Sequence, residues 1–182
     1  MRRLFRAVRN ERGVSLVELL TVMVILSTVV GALTTAFVNG TKAELDSNYR
    51  FGAQIDADVA LDRLRKDVHC ASAITPAGVS SSITLTVPSG CPTVGVTTIN
   101  WCALGSGTRY TLYRQTTTAC STASKPYAKY LTTSAVFNYT PPIASVSLGT
   151  LNVDLQVNRD PNRAMDLFRL TDNIVLRNTR RA

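Results

Sequence analysis

Between Val14 and Val38 the chain carries one charge, Glu18. Read as a helix at ~1.5 Å per residue, this run exceeds the ~30 Å of bilayer hydrocarbon. Leucine, valine, isoleucine and methionine fill its first half, whereas Gly31, Thr34 and Thr35 soften the second, so its outer end leaves lipid early. Ahead of it stand Arg2, Arg3, Arg6, Arg9 and Arg12, offset only by Glu11. Such a flank stays cytoplasmic and sends the carboxyl-terminal part outward. A secretory signal has a shorter apolar region, ~7–15 residues, and a small-residue cleavage site. A twin-arginine signal at Arg2-Arg3 fits poorly, because the apolar region begins only at Val14.

The leader also explains half of the net charge of +8. The remaining surplus is spread thinly over the rest of the chain, as solvated surface lysines and arginines. The four cysteines, Cys70, Cys91, Cys102 and Cys120, all come after the apolar run. There is no CxxC and His69 is the sole histidine, so a zinc site has little support. Two disulfides in an oxidising compartment fit better than four reduced, buried thiols. Both signals give the same topology, with the carboxyl-terminal part outside.

A carboxylate inside a membrane helix costs roughly 2.5–3.5 kcal/mol at mid-depth and less near an interface. Glu18 either snorkels to the cytoplasmic headgroups or meets a cation in an assembled state. If the chain is cut after Gly13, Val14 gains a free α-amine near the depth of Glu18. An amine on one subunit and a carboxylate on its neighbour would neutralise each other, reward side-by-side packing and fix the axial stagger.

The run Arg12-Gly13-Val14-Ser15-Leu16-Val17-Glu18-Leu19-Leu20 resembles the processing motif of type IV prepilins and type II secretion pseudopilins. The resemblance implies that a prepilin peptidase cuts after Gly13 and methylates the new amino terminus at Val14. It also implies that Glu18, fifth in the mature chain, is an assembly determinant. The family usually has phenylalanine or methionine where this chain has Val14. Many of its major pilins carry a helix-bending proline about twenty residues in; here the helix has none through Val38, and its weak points are Gly31 and Gly40.

After Gly40 the pattern turns amphipathic. Ala57, Leu61, Leu64, Val68 and Ala71 form an apolar stripe, with Asp58, Asp62, Arg65 and Lys66 off it as a solvated face. A helix from Val14 to about Ala73 would be about 90 Å long, stopped by Pro76 and Gly78. From Ser82 the period becomes two: Ile83, Leu85 and Val87; Tyr110 and Leu112, opposite in phase to Thr111 and Tyr113; Leu151, Val153, Leu155 and Val157. A final pair of runs is expected at Met165–Leu170 and Ile174–Leu176. Turns fall at Ser89-Gly90, Gly105-Ser106-Gly107, Pro141-Pro142 and Asp160-Pro161-Asn162. The expected fold is α+β and pilin-like: a long amino-terminal helix packed on an antiparallel β-meander. Its divisions are a leader at 1–13, a membrane or filament-core helix at 14–40, an amphipathic continuation at 41–75 and an extracytoplasmic β-rich domain at 76–182.

A hairpin centred near Ser106 would place Cys91 opposite Cys120 and leave Cys70 for Cys102, one of three possible connectivities. Either way the bridges tie sheet to helix around a thin core. Phe168-Arg169-Leu170 to Ile174-Val175-Leu176-Arg177-Asn178, and Asp62-Arg63-Leu64-Arg65-Lys66-Asp67-Val68, resemble the larger minor subunits, J-type pseudopilins and PilW-like pilins.

Catalytic signatures are missing. His69 stands beside Asp67 without a suitably spaced partner, no nucleophile has a recognisable base, and no phosphate-binding glycine loop occurs. Asp160, Asn162 and Asp166 are interrupted by Arg159 and Arg163, against a calcium loop. Trp101, Tyr110 and Tyr113 read as core aromatics of strands rather than base-stacking platforms. Arg180 and Arg181 belong to a solvated tail.

These features lead to a structural subunit without enzymatic activity or cofactor, a minor pilin or pseudopilin. Its expected partners are prepilin peptidase, other pilin or pseudopilin subunits through the amino-terminal helix, and the cytoplasmic membrane. It would be single-pass, with its carboxyl-terminal domain outside, and join a cell-surface filament after assembly. A membrane-anchored binding domain with an uncut leader is one rival. A DNA-uptake pilus subunit is the other, to be seen as salt-sensitive DNA binding by Lys42–Ala182.

Overall fold

The computed structural model describes residues 15–88, 90–91, 95–117, 119–143, 146–160 and 167–178. Gly13 and Val14 lie outside them. The chain divides into two compact units, Met1–Leu45 and Asp46–Ala182.

One helix, α1, runs from Leu16 to Cys70. No proline interrupts it, and it passes through Gly31 and Gly40 without a break. Ser15 precedes its first turn and its carbonyl accepts the Leu19 N–H at 3.1 Å. Glu18 is in that first turn, where a negative side chain faces the positive end of the helix dipole. Ser15-x-x-Glu18 also has the spacing of a capping box. Hydroxyls of Thr21, Ser27, Thr28, Thr34, Thr35 and Thr41 donate to carbonyls three or four residues earlier. These polar groups are thus satisfied within their own helix.

The helix ends at Cys70, short of the expected Ala73. Ala73–Thr75 form strand β1 instead, with Ile74 buried. The Ser72 N–H donates to the Thr86 carbonyl, so the chain is drawn into the sheet before Pro76 is reached.

Among the described residues eight further strands come after it: β2 (Gly78–Ser80), β3 (Ser82–Thr86), β4 (Thr98–Ser106), β5 (Arg109–Gln115), β6 (Pro126–Leu131), β7 (Phe137–Thr140), β8 (Thr150–Val157) and β9 (Phe168–Val175). All pairings are antiparallel. Strands β3 to β6 meander as expected. Then the order departs from a meander: β6 meets β8, β7 lies beyond β8 and pairs with β2, and β9 pairs with β8. Strands β1 and β2 end the path on opposite sides, yet only Pro76 and Ala77 separate them in the chain. The sheet therefore curls until its ends nearly meet. The pair of runs expected at Met165–Leu170 and Ile174–Leu176 is one strand, β9; Met165 lies outside the described residues.

One face of the sheet packs on the second half of α1. The stripe Ala57, Leu61, Leu64, Val68 and Ala71 is buried, joined by Ala53 and Ala60. They share one core with Leu85, Ile99, Trp101, Leu112, Leu151, Val153, Leu155 and Val157. Each fully buried large aliphatic side chain contributes roughly 1.5–3 kcal/mol. An exposed ion pair contributes about 0–1 kcal/mol. Apolar burial therefore holds the helix down, while Arg65–Asp172 and Arg159–Asp56, both at 2.8 Å, set where it lies.

The disulfides are Cys70–Cys91 and Cys102–Cys120, with Cα separations of 5.6 and 6.2 Å. This corrects the expected pairing of Cys91 with Cys120 and Cys70 with Cys102. The β4–β5 hairpin turns at Gly107-Thr108, since Ser106 is opposite Arg109. Its ladder begins at Asn100 and ends at Gln115, so the hairpin symmetry never reaches Cys91 or Cys120. Cys91 is in the β3–β4 connection, beside the end of α1. Cys120 is in the β5–β6 connection, which folds back over β4. There Asn100 donates to the Thr117 carbonyl, and Gln115 Nε2 donates to the Ser121 carbonyl at 2.5 Å.

Candidate functional site

From Leu16 to Val38 the large apolar side chains are exposed. By length and composition this is a helix able to cross a membrane. Glu18 is exposed among Leu16, Val17, Leu19 and Leu20. A lone carboxylate in such surroundings has two physical outlets, water at an interface or a cation brought by another chain.

A second charged feature is internal to the Asp46–Ala182 unit. Asp67, on the sheet-facing side of α1, is fully buried. Trp101 Nε1 on β4 donates to Asp67 Oδ2 at 3.0 Å. Arg114 on β5 donates through Nε to Oδ2 at 2.6 Å and through Nη2 to Oδ1 at 3.1 Å. Arg63, one turn earlier, approaches Oδ1 at 3.6 Å. The Trp101 ring packs against Tyr127 at 5.1 Å between centroids. This cluster locks one rotation and one axial position of the helix against β4 and β5. Its chemistry is that of a joint.

Around it, further pairs secure the domain. The Asp172 hydrogen bond holds the Arg65 guanidinium above its ordinary pKa, against the opposing effect of burial. Burial raises the Asp154 carboxyl, but hydrogen bonds from Arg169 and Gln156 and the Arg169 charge outweigh it, leaving the group below its ordinary value. At the far end of the helix, Asn178 Nδ2 donates to the His69 carbonyl at 2.9 Å.

Residues 8–34 match the family model described as a prokaryotic N-terminal methylation motif. The chain carries a type IV prepilin-like signal. The match takes in Arg9 and Arg12 of the basic flank, Gly13 and Val14, and most of the apolar run, and stops well before the sheet. No curated protein and no solved structure matches the chain. Beyond the signal, one long helix and then an antiparallel sheet give the α+β arrangement expected of a pilin-like chain.

The remaining sequence candidates are dispersed. Gly13 and Val14, the expected processing residues, lie outside the described residues, as do Asn162, Asp166, Arg180 and Arg181. His69 is exposed in the last turn of α1. Trp101 is fully buried and Tyr110 packs against the core. Tyr113 is half-buried and opposite Cys102, on the other face of the sheet. Among the described residues no three His, Cys, Asp or Glu side chains are grouped to hold a metal.

Sequence reasoning missed the Asp67 cluster, although it left a signal. Asp67 falls on the line Ala60, Leu64, Ala71, and Arg114 is in phase with Tyr110 and Leu112. Opposite charges at two core-facing positions mark a buried pair.

Proposed function

We propose that this chain is a minor structural subunit of a type IV pilus-like filament or a type II secretion pseudopilus, and not an enzyme. Prepilin peptidase cuts it after Gly13 and methylates Val14. The mature helix then packs among the helices of other subunits. There the Val14 amine of one chain and the Glu18 carboxylate of another neutralise each other away from water. The divisions are a leader at 1–13, a membrane and filament-core helix at 14–40, an amphipathic continuation from 41, and an extracytoplasmic β-rich domain to 182.

The observation that carries this reading is the methylation motif at residues 8–34, at the head of a single helix. Its exposed apolar first part leads into a second part fastened to a disulfide-bonded sheet. A DNA-binding role draws no support from the charge. Five arginines belong to the leader, and Arg65, Arg114, Arg159 and Arg169 each pair with an aspartate.

Mass spectrometry of the mature protein from its native host tests the cut; the expected first residue is Val14, carrying a methyl group. Glu18→Ala is expected to leave the sheet domain folded and to abolish incorporation into filaments. A chain recovered with its leader intact, or normal incorporation of Glu18→Ala, overturns the proposal.

A further inference from the structure

Among the described residues β9 pairs with β8 alone, over its whole length. The other two ends of the sheet, β1 and β2, are strands of three residues each, and edges that short bar further pairing. The ladder shows which way the backbone of β9 faces. The Leu176 N–H donates to the Gly149 carbonyl, and in an antiparallel pair the residues that exchange bonds alternate along the strand. Phe168, Leu170, Asp172 and Ile174 therefore bond to β8. The other side of β8 agrees in phase, since the Asp154 N–H donates to the Val136 carbonyl. Arg169, Thr171, Asn173 and Val175 turn their N–H and C=O groups away from β8, and all of them are exposed.

The devices that usually shield such an edge are absent or cancelled. The strand holds no proline, glycine or lysine. The inward charge of Asp172 is met by Arg65 at 2.8 Å, and the outward charge of Arg169 by Asp154 at 2.9 Å. Phe168 and Leu170 are only partly buried against the core. Leu170 also lines a groove of about 610 Å³ with Val59 and Leu61 of α1. Its partner on β8, Leu155, is fully buried and has no part in that groove. A further strand would lie ~4.8 Å from β9 and set alternate side chains beside Phe168 and Leu170.

A row of outward N–H and C=O groups at strand spacing is met along its length by another extended backbone. Pairing β9 with β9 of a second copy needs a two-fold axis, either across the strands, which reverses the two α1 helices, or along them. Subunits of one filament run the same way and are related by a rise and a turn, with no two-fold between them. The remaining edges of a copy, β1 and β2, are too short to cover β9.

We propose that β9 takes an added strand, an extended segment of a different polypeptide whose alternate apolar side chains cover Phe168 and Leu170. The inference rests on the filament-subunit reading, which excludes the second copy, and adds to it a contact made by the sheet rather than the helix.

The test uses the full-length chain in its native host, with the photo-crosslinker p-benzoylphenylalanine in place of Val175. The same residue in place of Asn138, exposed on β7, is the control. The expected adduct joins β9 to a different polypeptide and maps to a segment of alternating apolar and polar residues. Thr171→Pro removes an outward N–H and spares the β8 ladder. It is expected to cut the yield about fivefold, the scale of one backbone hydrogen bond. Thr171→Val keeps the N–H and should leave the yield unchanged. Asn173→Pro makes the same block and decides the matter where Thr171→Pro fails to form both disulfides.

An adduct with a second copy, an adduct with a helix, a yield no greater than at Asn138, indifference to the proline variants, or an equal loss with Thr171→Val overturns the proposal. Amino-terminal mass and filament incorporation are read in the same cells. A trimmed, incorporated chain without the adduct sinks the edge proposal alone. An untrimmed, unincorporated chain sinks both.

Discussion

Replacing Asp67 with leucine would remove the carboxylate that Trp101 and Arg114 share. Arg114 has 12% of its side chain exposed and Asp67 none. The guanidinium would stay inside with its best partner gone, as would the Trp101 N–H. Breaking a buried pair from one side costs about 3–5 kcal/mol. Against a total stability of about 5–15 kcal/mol, that is a large fraction. With a urea m-value of about 2 kcal/mol/M, the midpoint should fall by about 2 M. Trp101 is the sole tryptophan and lies in the core, so its fluorescence tracks unfolding of the sheet domain in the detergent-solubilised chain. The decisive variant is Asp67→Leu combined with Arg114→Met. Removing both charges relieves the stranded cation, so the double variant should be more stable than Asp67→Leu alone. What remains lost is the Trp101 partner, about 1–3 kcal/mol. A double variant less stable than either single one would refute the assignment of the cost to an uncompensated charge. So would an Asp67→Leu midpoint within about 0.3 M of the parent.

Non-reducing peptide mapping should recover Cys70 linked to Cys91 and Cys102 linked to Cys120; a Cys91–Cys120 peptide would contradict the placement of both connections. Because the Asp154 carboxyl sits below its ordinary pKa in the fold, its contribution is present above the unfolded value and lost as pH falls through the folded one. Asp154→Asn should therefore be less stable than the parent near neutrality, and the difference should close in acid unfolding below about pH 4. A Cβ at Gly105 would run into the Arg109 carbonyl and the Tyr110 Cα across the hairpin. Gly105→Ala should thus lower the unfolding midpoint, with a loss above about 1 kcal/mol. By contrast, Gly40 has open space where a Cβ would stand, and Gly40→Ala should raise helicity by circular dichroism, being worth up to about 1 kcal/mol.

The division between what sequence and tertiary structure each decide runs along the range of the interactions. The apolar run, Glu18, the helical stripe and the β8 alternation were legible because each depends on neighbours one to eight residues away. Local periodicity writes such patterns directly into the chain. The sheet order, the short strands β1 and β2, the real hairpin centre and both disulfide partners were not legible. They depend on which distant strands meet once the sheet curls, and several registers share the same alternation. Asp67 lies between the two cases: its phase was written in the helix, but its partners come from β4 and β5. On its own the sequence determined that a type IV prepilin-like signal leads into a long helix that passes from an apolar to an amphipathic half. Only the tertiary structure decided what that second half is locked to, because a buried charge is settled by the side chains that reach it, and those come from far along the chain.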